Sequence, residues 1–397
     1  MTNSELNWND IPLDVLEIIF TNLSQGDRFR ASLVSKNWCY VFNNSTDLWK
    51  NFRFSFLDED KLENQLKGLE VVGRLIRNLH IDVQPKVAAC RESAVNVINY
   101  FAQQGKRQIR VLRIRFLGNN PLLYSGNEFN RALLNYFSLP KNVEKMQSHL
   151  REVDLSKLNI NIDGELLTAL SKNHSNTLQK LYIHNCVLVE TITPDHMKIV
   201  ASRCHQLTHL GLHGYSIDDD VVSALISPAD RKKLERLIIF CRRDQKYVDR
   251  ISSTAWASLV AHSPNLRVCL GFDNTCPLDA VAKVMRPEIP VSELFLETYT
   301  DLIKEIRLAI KHYKNTLTKI SICCPPQHDD ALDVELVNLA TNCTLLSSLH
   351  VFCVVSRCAI EEILRLKPIL VERKSYTLEY STKPGPWEPG NDYTLTL

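Results

Sequence analysis

The sequence predicts an α/β protein: a short helical unit at the N-terminus, then a solenoid of strand–helix repeats sharing one curved parallel sheet. Three observations predict it. An L-x-x-L-x-L pattern occurs nine times between Ile76 and Val351, roughly every 25 to 41 residues. Between the copies lie stretches with apolar residues at three and four spacing, the period of a helix packed on one side. The residues before about position 52 lack the repeat and read as helices alone. A chain of 397 residues, 45% hydrophobic, is long enough to bury a large core, and its formal net charge of +2 gives no general case for nucleic acid or acidic lipid.

The first element is WNDIPLDVLEIIFTNL, Trp8 to Leu23. Pro12 stands where a helix begins, since its missing N–H costs nothing in the first turn. Leu13, Leu16, Phe20 and Leu23 make one apolar stripe, and Val15, Ile18 and Ile19 widen it past the single face of an ordinary surface helix. A second surface must therefore cover this helix. The turn SQGD follows, with Asp27 as the expected N-cap of a second helix carrying Phe29, Leu33, Val34 and Trp38. NWCYVFNNSTDLW closes the unit. About 45 residues is near the lower limit for stability by burial alone, and no metal or disulfide pattern assists it.

Trp8, IPLDVLEIIF, the turn at Asp27, LVSKNW and the closing Leu48 and Trp49 resemble an F-box, the adaptor-binding module of cullin-type ubiquitin ligases, over residues 5–52. Ile11 stands where that family often has Leu, and Ser35 and Lys36 where it usually has Cys and a basic residue. The resemblance implies that the Skp1 adaptor covers the second face and docks on a cullin scaffold. By the same resemblance, Ile11, Pro12, Leu13, Leu16, Ile19, Phe20, Leu23, Val34, Trp38 and Trp49 are the expected Skp1-binding residues.

The repeats run from Ile76/Leu79/Ile81 to Leu346/Leu349/Val351, and an irregular tenth copy at NLRVCLGF keeps the alternation of Val268 and Leu270 with its first anchor displaced. DGELLTALSKN, TPDHMKIVASRC, SSTAWASLVAH, DLIKEIRLAIKHY and LDVELVNLATNC are the intervening helices, and PLLYSGNEFNRALLNYFSLP is an enlarged helix and loop. No such unit buries its apolar face alone; stacked neighbours do so together, as in a leucine-rich-repeat solenoid. Residues 53–380 are read as that solenoid and 381–397, with Trp387, as a Pro-rich tail. Cys186 in LQKLYIHNC stands where many F-box proteins of this class carry Cys. NLRVCLGF, EIPVSELFL and LDVELVNLATNC are similar to the group of F-box only proteins 33 and 39.

Strand geometry turns the residue between the second and third anchors, and the one just after them, to the face opposite the core. His80, Asp82, Arg113, Arg115 and Asp154 occupy those places early in the array. Later the row becomes aromatic, and Tyr182, His184, His213, Phe240, Phe295, His350 and Phe352 form the expected substrate-binding surface on the concave side, which the target or the tail would occupy. Arg236, Arg242 and Arg243 would rim it. The run from Arg231 to Lys246 otherwise reads as a solvated edge, or as arginine forks for an acidic or phosphorylated target segment.

No metal or cofactor is expected. His184, Cys186, Cys204, His205 and His209 lack the paired short spacings of a zinc module, and Cys323 and Cys324 alternate to opposite faces. Asp218 to Asp220 read as the acidic first turn of a helix. No phosphate-binding or nucleophile-elbow motif occurs. Twelve scattered cysteines fit a reducing compartment, and the absence of a signal peptide or a run near 18 apolar residues fits a cytoplasmic or nuclear protein. The sequence therefore reads as an F-box followed by a leucine-rich-repeat substrate receptor of a Skp1–cullin ligase, catalysing no covalent step and binding an unknown protein target. A Skp1-binding scaffold without ligase function is the alternative.

Overall fold

The computed structural model describes residues 11–104, 108–121, 124–138, 149–187, 191–243, 251–325 and 327–379. Two compact units divide after Asp154. Trp8, Lys246 and the tail with Trp387 lie outside the described residues.

The first unit opens with α1 (Leu13–Thr21), whose N-cap is Pro12. The expected Asp27 cap is displaced: α2 (Gln25–Ser32) starts at Ser24, whose hydroxyl accepts the Asp27 N–H and donates to the Asp27 carboxylate at 2.6 Å. Serine lies ahead of the first turn and the acid inside it, so Asp27 favours the helix by charge while Ser24 caps it. Ser35 caps α3 (Lys36–Asn44) and Ser45 caps α4 (Thr46–Trp49) in the same way.

A strand absent from the repeat count follows at once. β1 (Asn51–Phe56) buries Phe52, Phe54 and Phe56 and pairs in parallel with β2 (Asn78–Val83), which pairs with β3 (Val111–Phe116). The anchor pattern misses β1 because NFRFSF has no leading leucine; its strict alternation is the available signal. Gln65, on α5 (Leu62–Val72), bonds both the N–H and the carbonyl of Ser55 at 2.8 Å. The strand's backbone is thus paired by a side-chain amide on its other side. α6 (Ala88–Gln103) and α7 (Asn127–Phe137) complete the series, and the division between the units falls within β4 (Glu152–Lys157).

The second unit repeats helix and strand: α8 (Gly164–His174), β5 (Lys180–Tyr182), α9 (Pro194–Arg203), β6 (His209–His213), α10 (Asp219–Ile226), β7 (Arg236–Cys241), α11 (Ser253–His262), β8 (Arg267–Phe272), α12 (Leu278–Val284), β9 (Val291–Leu296), α13 (Ile303–Tyr313), β10 (Lys319–Ile322), α14 (Asp330–Asn342), β11 (Ser348–Val354), α15 (Arg357–Leu366), α16 (Pro368–Glu372) and β12 (Tyr376–Glu379). From β5 onward each strand pairs in parallel with the next. The second and third anchors are buried, as strand alternation requires. The irregular tenth copy is β8, and the register against β9 shifts at Val268 and Cys269. Asp218 caps α10 with Asp219 and Asp220 in its first turn.

Two buried cations close helix ends here. Arg231 donates to the carbonyls of Ala201, Cys204, Ala224 and Ser227, where α9 and α10 run out of backbone partners. Lys367 donates to the carbonyls of Cys343 and Thr344, just past α14. Asn185 binds a neighbouring repeat through the carbonyls of Leu158 and Ile160, both at 2.8 Å.

Candidate functional site

The four N-terminal helices divide their apolar residues into two sets. Leu16 and Phe20 are fully enclosed, and Trp38 and Trp49 are buried beside them. The Phe20 ring lies 5.5 Å from Trp38, and Phe42 meets Trp49 edge-on at 5.0 Å. Arg28 fixes this packing: its guanidinium donates to the carbonyls of Phe20, Thr21, Leu23 and Leu48 and lies 5.7 Å over the Trp49 ring. Burial lowers its pKa.

The other set faces out. Leu13, Val15 and Ile18 on α1, Phe29 on α2, Leu33 and Val34 just beyond it and Tyr40 on α3 are exposed, Ile18 at 63% and Leu33 at 73%. Among the ten residues expected at an adaptor surface, Pro12, Leu13 and Val34 are exposed, and Ile11, Ile19 and Leu23 are half-buried. Leu16, Phe20, Trp38 and Trp49, the other four of the ten, are buried against this chain's own helices. Val15, Ile18, Phe29, Leu33 and Tyr40 lie outside those ten and are exposed as well. Helical periodicity identifies an over-wide apolar stripe but not which edge of it meets the rest of the unit.

In the first unit the open face of the sheet, opposite the anchors, is a charged lattice. Arg115 forks onto Asp82 at 2.8 and 2.9 Å, and Arg113 holds Glu152. Burial, then the charges of Arg113 and Arg53, lower the His80 pKa.

In the second unit that face is aromatic and apolar. Tyr182, Ile238, Cys269 and Phe295 form one buried cluster. A Cβ on Gly211 would meet His184 Nδ1 at 2.5 Å and Tyr182 Cδ1 at 2.9 Å, so both rings lean over that glycine; the Phe240 ring leans on Gly271 in the same way. Of the seven expected surface residues, Tyr182, His184, His213 and Phe295 are buried and Phe240, His350 and Phe352 are half-buried. His350 belongs to the last strands: its ring nitrogens meet the Ser348 and Thr377 hydroxyls. Strand alternation also turns Gly211 and Ile238 to this face, whereas Cys269 and Gly271 lie in the irregular copy and carry no signal until neighbouring strands are in register.

Three arginines of the basic run are neither solvated nor free forks. Arg231 is buried against carbonyls. Arg236 pairs with Glu293 at 3.0 Å, and Arg242 holds Asp273 at 2.6 Å and the Val187 carbonyl. Burial, then the Asp273 charge, push the Glu297 carboxyl up.

Cys204 is buried at the end of α9, His205 meets the Ser202 carbonyl and His209 the Thr208 hydroxyl. His328, Asp330 and Asp333 bring three donor atoms within 4.8 Å, yet Asp333 already accepts the Ser356 N–H and meets His328 at 3.0 Å. The free Cys324 thiol shares a hydrogen bond with the free Cys353 thiol, which raises the Cys324 pKa. Among the described residues no helix is long and apolar enough to cross a membrane.

Known proteins resemble this chain in both of its parts. A crystal structure of the Rad7 and Elc1 complex in yeast aligns with a TM-score of 0.35 and 13% identity over 78% of this chain and 88% of that one. F-box/LRR-repeat protein 21 of Bos taurus is 27% identical over 91% of this chain and 80% of its own. F-box/LRR-repeat protein 8 of Homo sapiens is 28% identical over 96% of this chain and 97% of its own. Residues 8–55 match the family described as F-box-like, so the chain joins an F-box-like region to a repeat array similar to those of F-box/LRR-repeat proteins.

Proposed function

We propose that the chain is the substrate-recognition subunit of a Skp1–cullin–F-box ubiquitin ligase. The observation that carries this reading is the exposed set Leu13, Val15, Ile18, Phe29, Leu33 and Val34 within the region matching the F-box-like family. An apolar surface of this kind on so small a helical unit calls for a protein partner, and Skp1 is the one an F-box implies. The cullin scaffold follows through the adaptor. The repeats, residues 53–380, hold an unknown target protein, with Tyr182, His184, His213, Phe240, Phe295, His350 and Phe352 as its proposed surface. The chain catalyses no covalent step itself; it raises the effective concentration of a target lysine near the charged conjugating enzyme. The cytoplasm or nucleus is the proposed compartment, and the likeness of three stretches to F-box only proteins 33 and 39 adds no substrate.

Affinity capture tests this reading. A ligase receptor recovers Skp1 together with a cullin; a scaffold without ligase function recovers Skp1 alone; neither protein in the capture sinks both readings.

A further inference from the structure

On the open face of the second unit, Phe240, Gly271, Phe295 and Ser321 are register neighbours on four adjacent strands. Two residues further along the chain from each, one past the strand end, stand Arg242, Asp273, Glu297 and Cys323, and the ladder continues there as the Asp273, Glu297 and Cys323 N–H groups donate to the carbonyls of Cys241, Phe272 and Leu296. Arg242 and Asp273 satisfy one another, and the second Asp273 oxygen accepts the N–H and hydroxyl of Thr275. On the other side of the rings, Glu293 carries Arg236. Glu297 is different. It is half-buried, and among the described residues its carboxylate has neither a hydrogen bond nor an ion pair.

A half-buried carboxylate is unfavourable until a cation neutralises it, and burial with the neighbouring Asp273 already raises its pKa. Two arginines that would have recognised an acidic segment, Arg236 and Arg242, are held by Glu293 and Asp273. A lysine of this face, Lys319, lies 5.4 Å over the Phe295 ring, which shows that the ring accepts an ammonium group. Lysine and arginine side chains match such a place, with an apolar stem and a charged head.

We propose that this face receives an extended segment of a partner protein carrying a lysine or arginine, its stem against the half-buried Phe240 and its charged head on Glu297. The proposal rests on the substrate-receptor reading and names the chemical class of the bound segment.

The test uses the full chain and a displayed library of random decapeptides. Wild type should enrich lysine or arginine next to an apolar residue. The best such peptide should bind about tenfold more weakly to Glu297→Gln, the loss of one charge-assisted contact. Glu297→Lys should shift enrichment to acidic peptides. Enrichment of acidic peptides by wild type, no charge preference, or unchanged binding by Glu297→Gln overturns the proposal. A thermal melt of each variant identifies any loss caused by unfolding, and the isosteric Gln keeps the test usable if Lys is not tolerated. A chain ending at Tyr380 and Lys383→Ala complete it: if only these two bind the peptides, the chain's own tail is the occupant and a partner segment is not. Skp1 capture is read separately, so its failure strikes the receptor reading while the peptide preference stands or falls alone.

Discussion

The N-terminal helices and the second unit solve the same burial problem with opposite results. Between residues 11 and 49, seven large apolar side chains remain exposed: Leu13, Val15, Ile18, Phe29, Leu33, Val34 and Tyr40. Over the whole described part of the second unit there are five, Leu278, Val334, Leu345, Val371 and Tyr376. A repeat hands its apolar face to the next repeat, whereas four short helices have too little interior to enclose theirs. Polar groups follow the same contrast. Arg231 and Lys367 are drawn inside to close helix ends, where a repeat array leaves carbonyls buried by its neighbours.

The sharpest way to break this comparison is to charge the exposed set. Ile18→Glu with Leu33→Glu should weaken Skp1 capture at least about 100-fold while leaving the melting temperature near wild type. Leu16→Ala with Phe20→Ala should instead unfold the helices, each truncation costing about 3–4 kcal/mol, and lose Skp1 as a consequence. Circular dichroism melts beside the capture assay separate the two. If the charged pair still captures Skp1, the exposed face is not the adaptor surface.

Arg231→Met should destabilise the second unit by about 3 kcal/mol, because four carbonyls lose a charged donor in a buried place. Urea unfolding measures it; a cost near zero would mean that water replaces the guanidinium. Arg28→Met should cost somewhat less, about 2 kcal/mol, since its site is partly open to water. Its melt should drop without any change in the second unit's hydrogen exchange.

The smallest effect is a pH dependence. Burial lowers the pKa of His80 and His350 from 6.5, so each contributes fully to the folded state above pH 6.5 and loses that contribution as pH falls through the lowered value. His328 is shifted up, first by its hydrogen bond to Asp333, so its contribution is complete below pH 6.5 and fades as pH rises through the raised value. Imidazole NMR titration should place His80 and His350 below 6.5 and His328 above it. The opposite order would remove the electrostatic account of these faces.

Much of this architecture is legible in the sequence. Leucine spacing locates the strands from β2 to β11 and turns Phe240 and Phe295 to the open face, because alternation is a property of the strand itself. The same reasoning finds an opening helix too apolar for one core. It does not separate Leu16 from Ile18, since both belong to a wide stripe and only the position of α3 and α4 decides which is covered. Nor does it separate Arg231 from the solvated lysines that follow, because a carbonyl acceptor has no signature in side-chain chemistry.

Sequence by itself determined the periodic part of this protein: which residues form strands, which way their side chains turn, and that a second surface must cover the first helix. Tertiary structure decided the partners. It set the rings of Tyr182 and His184 over Gly211, gave Asp273 and Glu293 their arginines and, among the described residues, left Glu297 with none. The reason is physical: periodicity is fixed by bonds along the chain, while a contact between residues some 30 to 60 positions apart exists only once register has aligned the strands that carry them.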